Sequence, residues 1–338
     1  MRIIADVDTG IDDALALVQL ASRPDVELVG VSASTGNTTA RAAARNSAGV
    51  LAVCGRAEVP VYTGAGAPLV VPATTTPETH GSAGLGYARL PGDLTSLRSG
   101  DFLEELWLPE LRSHPGATTL LVTGPLTDLA LALRAEPELP RLAAQVVIMG
   151  GSFNHPGNTT PTAEWNSWCD PHAAAEVYRA YEGMPTQRLP LVCSLGVTEQ
   201  IELKPDDLDR LATAAGALAP QLSPELARNR PPSDTSSALI DLLADALRFY
   251  FEFHADWGYG YLAQVHDLLA AEIALGEVPY HATATWVGVE TGSELTRGTT
   301  VADLRNLWHR PANARIVDHV APGVSLAAFT AAIQRLTH

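Results

Sequence analysis

Lysine is almost absent from this chain: Lys204 is the only one in 338 residues, so arginine supplies nearly all the positive charge. With 22 basic against 38 acidic residues, the formal charge is −16. A nucleic-acid backbone calls for a basic footprint, which excludes that class of partner. An anionic membrane surface is disfavoured on the same ground. The balance suits a neutral or cationic small ligand, or a bound cation. Cysteine is also scarce. Cys54, Cys169 and Cys193 are far apart and form no CxxC pair, so the chain carries neither a zinc knuckle nor a disulfide framework. Reduced thiols and a cytoplasmic location are expected. No apolar stretch reaches the ~18–20 residues of a membrane helix, and no basic-then-apolar leader precedes the first strand pattern. A soluble protein is therefore expected. The hydrophobic fraction of 46% and charged fraction of 18% are those of a globular chain, not a disordered one.

Acid is what the N-terminus has in excess. Asp6, Asp8, Asp12 and Asp13 fall within eight positions, directly behind the apolar run Ile3-Ile4-Ala5 and Val7. That run reads as a buried strand. Gly10 permits a sharp turn, and Ala14-Leu15-Ala16-Leu17-Val18 continues as a helix. The acids thus collect at the C-terminal end of the first strand, the edge where open α/β sheets bind ligands. Asp12 and Asp13 alone would be explained by the helix macrodipole, at ~0.3–1 kcal/mol each. That leaves Asp6 and Asp8 unaccounted for. Four like charges this close call for a positive charge among them, and oxygen-only donors select a hard cation such as Ca²⁺ or Mg²⁺.

Strand and helix patterns then alternate. Strands are expected at 26–33, 59–62, 118–122 and 145–149, with helices near 39–54, 101–113 and 126–134. Residues 63–100 read mostly as loop, 218–235 as irregular, and 235–255 as a long amphipathic helix bearing Phe249, Tyr250, Phe251 and Phe253. Most of that helix's apolar face is expected to be core, with a contact between subunits as the other reading. Gly258-Tyr259-Gly260-Tyr261 looks like a mobile aromatic loop closing over a ligand. The tail reads as strands at 282–289, 295–300 and 314–317, forming antiparallel hairpins at a sheet edge, followed by a helix over 324–336. The βαβα alternation predicts an α/β fold with an open, mainly parallel sheet flanked by helices. No repeat or linker divides the chain, so one domain over 1–338 is expected.

Several polar clusters follow strands and would reach the same rim as the acids: Thr35-Gly36-Asn37, Thr123-Gly124-Pro125, the group Asn158, Glu164, Asn166 and Asp170, and His266-Asp267. Each alone has a plainer explanation, Asn37 as a helix cap or His266-Asp267 as a helix start. Together they define a site.

With these residues in view, the sequence resembles the ribonucleoside hydrolases, the inosine-uridine preferring nucleoside hydrolase family. The family signature DxDPGxDDA stands here as Asp6-Val7-Asp8-Thr9-Gly10-Ile11-Asp12-Asp13-Ala14. Further matches, in the family's order, are Gly36-Asn37, His80 through Gly86, Thr123 through Asp128, Ile148-Met149-Gly150-Gly151, Asn158 through Asn166, Asp170-Pro171 and His266-Asp267. They span about residues 3 to 275. Three positions depart from the pattern. Thr9 replaces the signature proline, Leu268 the proline after His-Asp, and Trp165 a common phenylalanine; none removes a functional side chain.

The resemblance implies the nucleoside hydrolase fold with its Rossmann-like core, and a Ca²⁺ ion held by Asp8, Asp13 and Asp267 with the Thr123 backbone carbonyl. It implies that Asp12, Asn37, Asn158, Glu164 and Asn166 grip ribose hydroxyls, with Met149 beside the sugar. Asp8 would also take a proton from the attacking water. His266 would be the acid that helps the base depart, and His80 would assist it or contact the base. The expected reaction is hydrolysis of the N-glycosidic bond of a small-molecule ribonucleoside. Its oxocarbenium-like transition state explains the ring of anionic and amide oxygens. A histidine before Asp267 resembles the inosine-uridine and pyrimidine-preferring members; the purine-specific branch places tryptophan there. Uridine, cytidine or inosine-type substrates are expected, from a homodimer or homotetramer. A modified nucleoside stays open as the substrate, because of Thr9 and Trp165.

Two rival readings fit the sequence less well. Haloacid-dehalogenase-type phosphatases open with DxDx and then Thr or Val, but Gly10 stands at that position and Lys204 is the only lysine available. A non-catalytic nucleoside-binding protein on the same fold should have lost Asp8, Asp13 or Asp267, and all three remain.

Overall fold

The computed structural model describes residues 1–337 except 93, 227 and 229. Its centre is β1 (Arg2–Val7), the apolar run expected to be a buried strand. Ile3, Ala5 and Val7 pack into the core on one face of the sheet, and Ile4 packs with Leu120 and Val122 on the other. Burial on both faces explains the nearly continuous apolar sequence.

Outward from β1 on one side lie β2 (Glu27–Ala33), β3 (Val61–Thr63) and β4 (Leu97–Arg98), all parallel. On the other side lie β5 (Thr118–Val122), β6 (Gln145–Met149) and β7 (Leu191–Cys193), also parallel. A short antiparallel pair, β8 (Glu202–Leu203) and β9 (Ala263–Gln264), stands apart from this sheet. The chain ends with β10 (Tyr280–Thr285), β11 (Val287–Val289), β12 (Thr300–Ala302) and β13 (Ala314–Val320). β13 joins β7 in parallel, and β10 closes that edge antiparallel to β13. Among the described residues this makes a nine-stranded, mostly parallel sheet flanked by helices. The chain runs outward from β1 through β4, then returns to the opposite side of β1 at β5. The crevice between the C-terminal ends of β1 and β5 is therefore a topological switch point.

Three local expectations are corrected. Residues 63–100 are not loop throughout: they include the short helix Pro77–His80 and strand β4 at the sheet edge. The 282–289 segment is broken at Trp286, so β10 stays on the main sheet while β11 pairs with β12 in a separate two-stranded sheet. The strand expected at 295–300 begins only at Thr300. Before it, the Glu290 carboxylate accepts the N–H groups of Gly292 and Ser293, and Gly298 has φ +82°, so the backbone turns and leaves Leu295 in solvent. The long helix is Ala238–Asp256, with the Ser237 side chain accepting the Ile240 N–H at its start. None of the described helices is long and apolar enough to cross a membrane.

Candidate active site

The end of β1 turns at Gly10 into the Ile11–Ala21 helix, whose first turn carries Asp12 and Asp13. The Gly10 N–H donates to Asp13 Oδ2 at 2.8 Å. A Cβ on Gly10 would come within 2.6 Å of both Asn37 Nδ2 and His80 Nδ1, so close approach of these side chains requires glycine. Thr9 takes the proline position with its own partners. Its hydroxyl meets Ser47 Oγ at 2.6 Å, and its carbonyl accepts from Asn46 Nδ2 at 3.1 Å.

Asn37, in the turn after β2, organises the carboxylates. Its backbone N–H donates to Asp8 Oδ2 at 2.6 Å, and its side-chain amide lies 3.2 Å from both Asp8 Oδ1 and Asp13 Oδ2. Thr123, after β5, donates its hydroxyl to Asp13 Oδ1 at 2.8 Å. Asp267 arrives from the first turn of the His266–Ala274 helix. Oxygens of Asp12, Asp13 and Asp267 lie within 4.8 Å of one another, and all three residues are buried. Asp8 stands beside Asp13 and is fully buried.

Burial, then repulsion from neighbouring aspartates, drives Asp8 and Asp267 well above the usual carboxylate range. The same causes lift Asp12 to about 7. Among the described residues no arginine or lysine forms a salt bridge with any of the four. An all-oxygen, buried, uncompensated set of this kind fits a hard cation.

Asp6 does not join this group. Its Oδ1 accepts the Ser32 hydroxyl at 2.7 Å, and its carboxyl faces Asp128. It is thus a structural partner of the strands, and the four-acid cluster of the sequence becomes Asp8, Asp12, Asp13 and Asp267.

A cavity of about 460 Å³ opens above the acids, within the size range of small-ligand sites. Its polar wall includes Asp12, Asn37, Thr123, Met149, Asn158, Glu164, Asn166 and Asp267. Glu164 caps the Trp165–Cys169 helix: its two oxygens take the N–H groups of Asn166 (2.6 Å), Gly151 (2.8 Å) and Ser167 (3.0 Å). Asn158 Oδ1 accepts the Trp165 N–H at 3.0 Å, which ties the 158–166 loop to itself. Trp165 lines the cavity and stacks on Trp168.

His80 and His266 line the cavity as well. His80 Nδ1 accepts the Ile11 N–H at 3.0 Å, so its proton sits on Nε2. His266 Nδ1 is joined to Thr198 Oγ1 at 2.9 Å. Burial, with neighbouring histidines second, pushes both down to about 3.

The sequence reading missed a second wall. Tyr250, Phe253, His254 and Trp257 line the cavity from the Ala238–Asp256 helix and its C-terminus, and Glu199 and Gln264 line it as well. Their i, i+3, i+4, i+7 spacing was the available signal. Phe251 of that aromatic run is fully buried in the core, and Tyr250 belongs to the same core while also lining the cavity. The Gly-Tyr-Gly-Tyr loop is split. Tyr259 lines the cavity, whereas Tyr261 does not and packs on Phe251 with ring centroids 5.2 Å apart. The expectation that both tyrosines cover the ligand is corrected for Tyr261.

An open parallel sheet with a buried acid cluster and a cavity at its switch point defines an α/β enzyme acting on a small molecule. Over residues 3–325 the chain matches the family described as inosine-uridine preferring nucleoside hydrolase. It belongs to that family and is a ribonucleoside hydrolase. It is 32% identical to the pyrimidine-specific ribonucleoside hydrolase RihA of Shewanella sp. (strain ANA-3), covering 93% of this chain and 90% of the relative. Identity to the RihA of Salmonella paratyphi C is also 32%, over 94% and 93%. The fold is similar to the purine-preferring ribonucleoside hydrolase from Gardnerella vaginalis, with a TM-score of 0.83 and 24% identity over 100% of this chain and 99% of that one.

Proposed function

We propose that this protein is a calcium-dependent hydrolase of uridine, cytidine and inosine-type ribonucleosides, acting as one domain over residues 1–338. The observation that carries the reading is the buried, uncompensated carboxylate cluster at the floor of a cavity with an amide-rich wall on one side and an aromatic, histidine-bearing wall on the other. Asp13 and Asp267, flanked by Asp8 and Asp12, would hold the cation together with the Thr123 carbonyl. Bound there, Ca²⁺ would neutralise the acids, hold the ribose diol and acidify a water. Asp8 takes the proton of the attacking water, a role its place beside Asp13 at the floor of the cavity supports. Asp12, Asn37, Asn158, Glu164 and Asn166 place anionic or amide oxygens around the sugar, where positive charge develops in the transition state. Met149, whose carbonyl and sulfur both meet the Asn166 amide, would lie beside the sugar. His80 and His266 contact the base, and His266 assists its departure from beside Asp267.

Preference for pyrimidines within this group is supported by the names of the two RihA relatives. A cytoplasmic homo-oligomer is proposed on the family resemblance. The test is ribose release from a panel of ribonucleosides and 2′-deoxyribonucleosides, before and after chelation. Turnover of uridine or inosine, little on the deoxy forms, and loss on chelation are expected. No release from any ribonucleoside by protein shown to hold calcium would point to binding without turnover, or to a modified nucleoside.

A further inference from the structure

Residues 152–162 form no helix or strand, yet they carry Asn158 to the cavity wall and lead into Glu164 and Trp165. Holding such a loop in one conformation opposes a large loss of chain entropy. Four consecutive residues at the start of β12 make the contacts that do so: Arg297, Gly298, Thr299 and Thr300.

Thr300 is buried and opens β12. Its hydroxyl accepts the Ser152 N–H at 2.9 Å and donates to the Ser152 carbonyl at 3.2 Å. One side chain thus serves both backbone groups of Ser152. The Ser152 hydroxyl in turn reaches the carbonyls of His155 and Pro156, the latter at 2.9 Å, which sets the first turn of the loop. Thr299 holds the far end. It forms an isolated antiparallel bridge with Ala163, and its hydroxyl meets Thr162 Oγ1 at 2.6 Å. Ala163 directly precedes Glu164.

The other two residues press on the helix that follows. A Cβ on Gly298 would come within 2.5 Å of Trp168 Cα, so only glycine allows this approach. The Arg297 guanidinium lies 4.2 Å from the centre of the Trp168 ring, and Trp168 stacks on Trp165, which lines the cavity. The strip is anchored away from the site. β12 pairs with β11, and Val287 of β11 is buried with Ala173, Ala174 and Val177 of the Pro171–Ala180 helix.

We propose that residues 297–300 are a positioning strip for the sugar-binding loop, with Thr300 as its main positioning residue. This rests on the ribonucleoside hydrolase reading above, in which that loop grips the ribose. Thr300 does not line the cavity and acts through Ser152. By fixing the loop before substrate arrives, the strip spares binding the entropy of ordering Asn158 and Glu164.

The test compares wild type, Thr300→Val, Thr300→Ser and Thr162→Val on uridine, inosine and 4-nitrophenyl riboside, with amide hydrogen exchange followed over residues 152–166. Thr300→Val keeps the side chain's shape and removes its hydroxyl. It should raise KM ~5–30-fold, as expected for one or two lost hydrogen bonds. The factor should be the same on all three substrates, which share the sugar, while kcat changes less than about threefold. Exchange over 152–166 should quicken, with β5 and β6 as in wild type. Thr300→Ser keeps the hydroxyl and should return KM to within about twofold of wild type. If Thr300→Val does not fold, the exposed Thr162→Val carries the test, with faster exchange over the same residues and a raised KM. Unchanged KM and exchange, a loss confined to kcat, a factor that follows the leaving group, or a serine variant as impaired as the valine would each overturn the proposal. If wild type releases ribose from none of the three, the hydrolase reading fails, and exchange alone then decides whether the strip holds the loop.

Discussion

The Asn166 side-chain amide donates to the Thr123 backbone carbonyl at 2.6 Å, and the same nitrogen lies 3.2 Å from the Met149 carbonyl. One amide thus ties together the C-terminal ends of β5 and β6. It also fixes the direction of a carbonyl proposed to face the cation, leaving that oxygen's second lone pair for the cavity. Asn166→Ala should therefore lower calcium affinity ~10–100-fold, the usual cost of losing a group that orients a ligand. Stability should drop by ~1–3 kcal/mol as buried carbonyls lose their donor. Calorimetric titration and thermal melts measure the two effects. Unchanged calcium affinity with lowered stability would make Asn166 a structural tie only.

Chelation should have a pH signature. Asp8, Asp12 and Asp267 have raised proton affinity, so the folded state holds protons that the unfolded chain has already released. Their contribution to stability is full below about pH 4, the usual carboxylate range, and is lost as pH rises through the folded values, about 7 for Asp12. His80 and His266 work in the opposite sense. At about 3 in the fold, they favour folding as pH rises toward the ordinary histidine range and add nothing further above it. Above about pH 6.5 only the carboxylates act. The Tm of chelated protein should fall from there to about pH 8, and the Tm gained on adding calcium should grow over the same interval. A calcium-induced gain that is flat with pH would contradict proton–cation competition at this cluster.

Gly36 offers a test that changes no charge. A Cβ there would overlap Asp8 Oδ2 and approach Pro125 Cδ to 2.8 Å. Asp8 is held at both oxygens by Asn37 and cannot swing away without losing those bonds. Gly36→Ala should lower stability by ~1–3 kcal/mol through overpacking and reduce kcat more than it raises KM, because Asp8 is displaced while the sugar-binding wall is left in place. An unchanged kcat would show that Asp8 tolerates displacement and is not the base.

The parallel sheet was legible because β1 and its neighbours are buried on both faces, and such strands carry their signal in every residue. The carboxylates were legible because they follow directly on β1. Asp6 was misplaced by the same logic. Sequence nearness grouped it with Asp8, but the strand directs it to Ser32 and Asp128 instead. The aromatic wall was illegible for a different reason. Tyr250, Phe253 and His254 share a helix with core residues such as Phe251, and apolar periodicity alone does not separate a face lining a cavity from one lining the core. The 295–300 strand failed because β propensity was outweighed by the Glu290 turn.

The two tyrosines of the 258–261 loop should separate cleanly on mutation. Tyr259 is 61% exposed, lines the cavity and lies 6.0 Å from His254 by ring centroids, so its contribution is to the ligand. Tyr261 packs on the buried Phe251, so its contribution is to the fold. Tyr259→Ala should raise KM for uridine and inosine several-fold, consistent with losing ~0.5–1.5 kcal/mol of aromatic contact, with little change in Tm. Tyr261→Ala should lower stability by ~1–3 kcal/mol, the toll for a half-buried aromatic, with KM nearly unchanged. Steady-state kinetics and melts on both single variants decide the matter. If Tyr261→Ala raised KM as much as Tyr259→Ala, the loop would act as one unit, and the division drawn from its packing would be wrong.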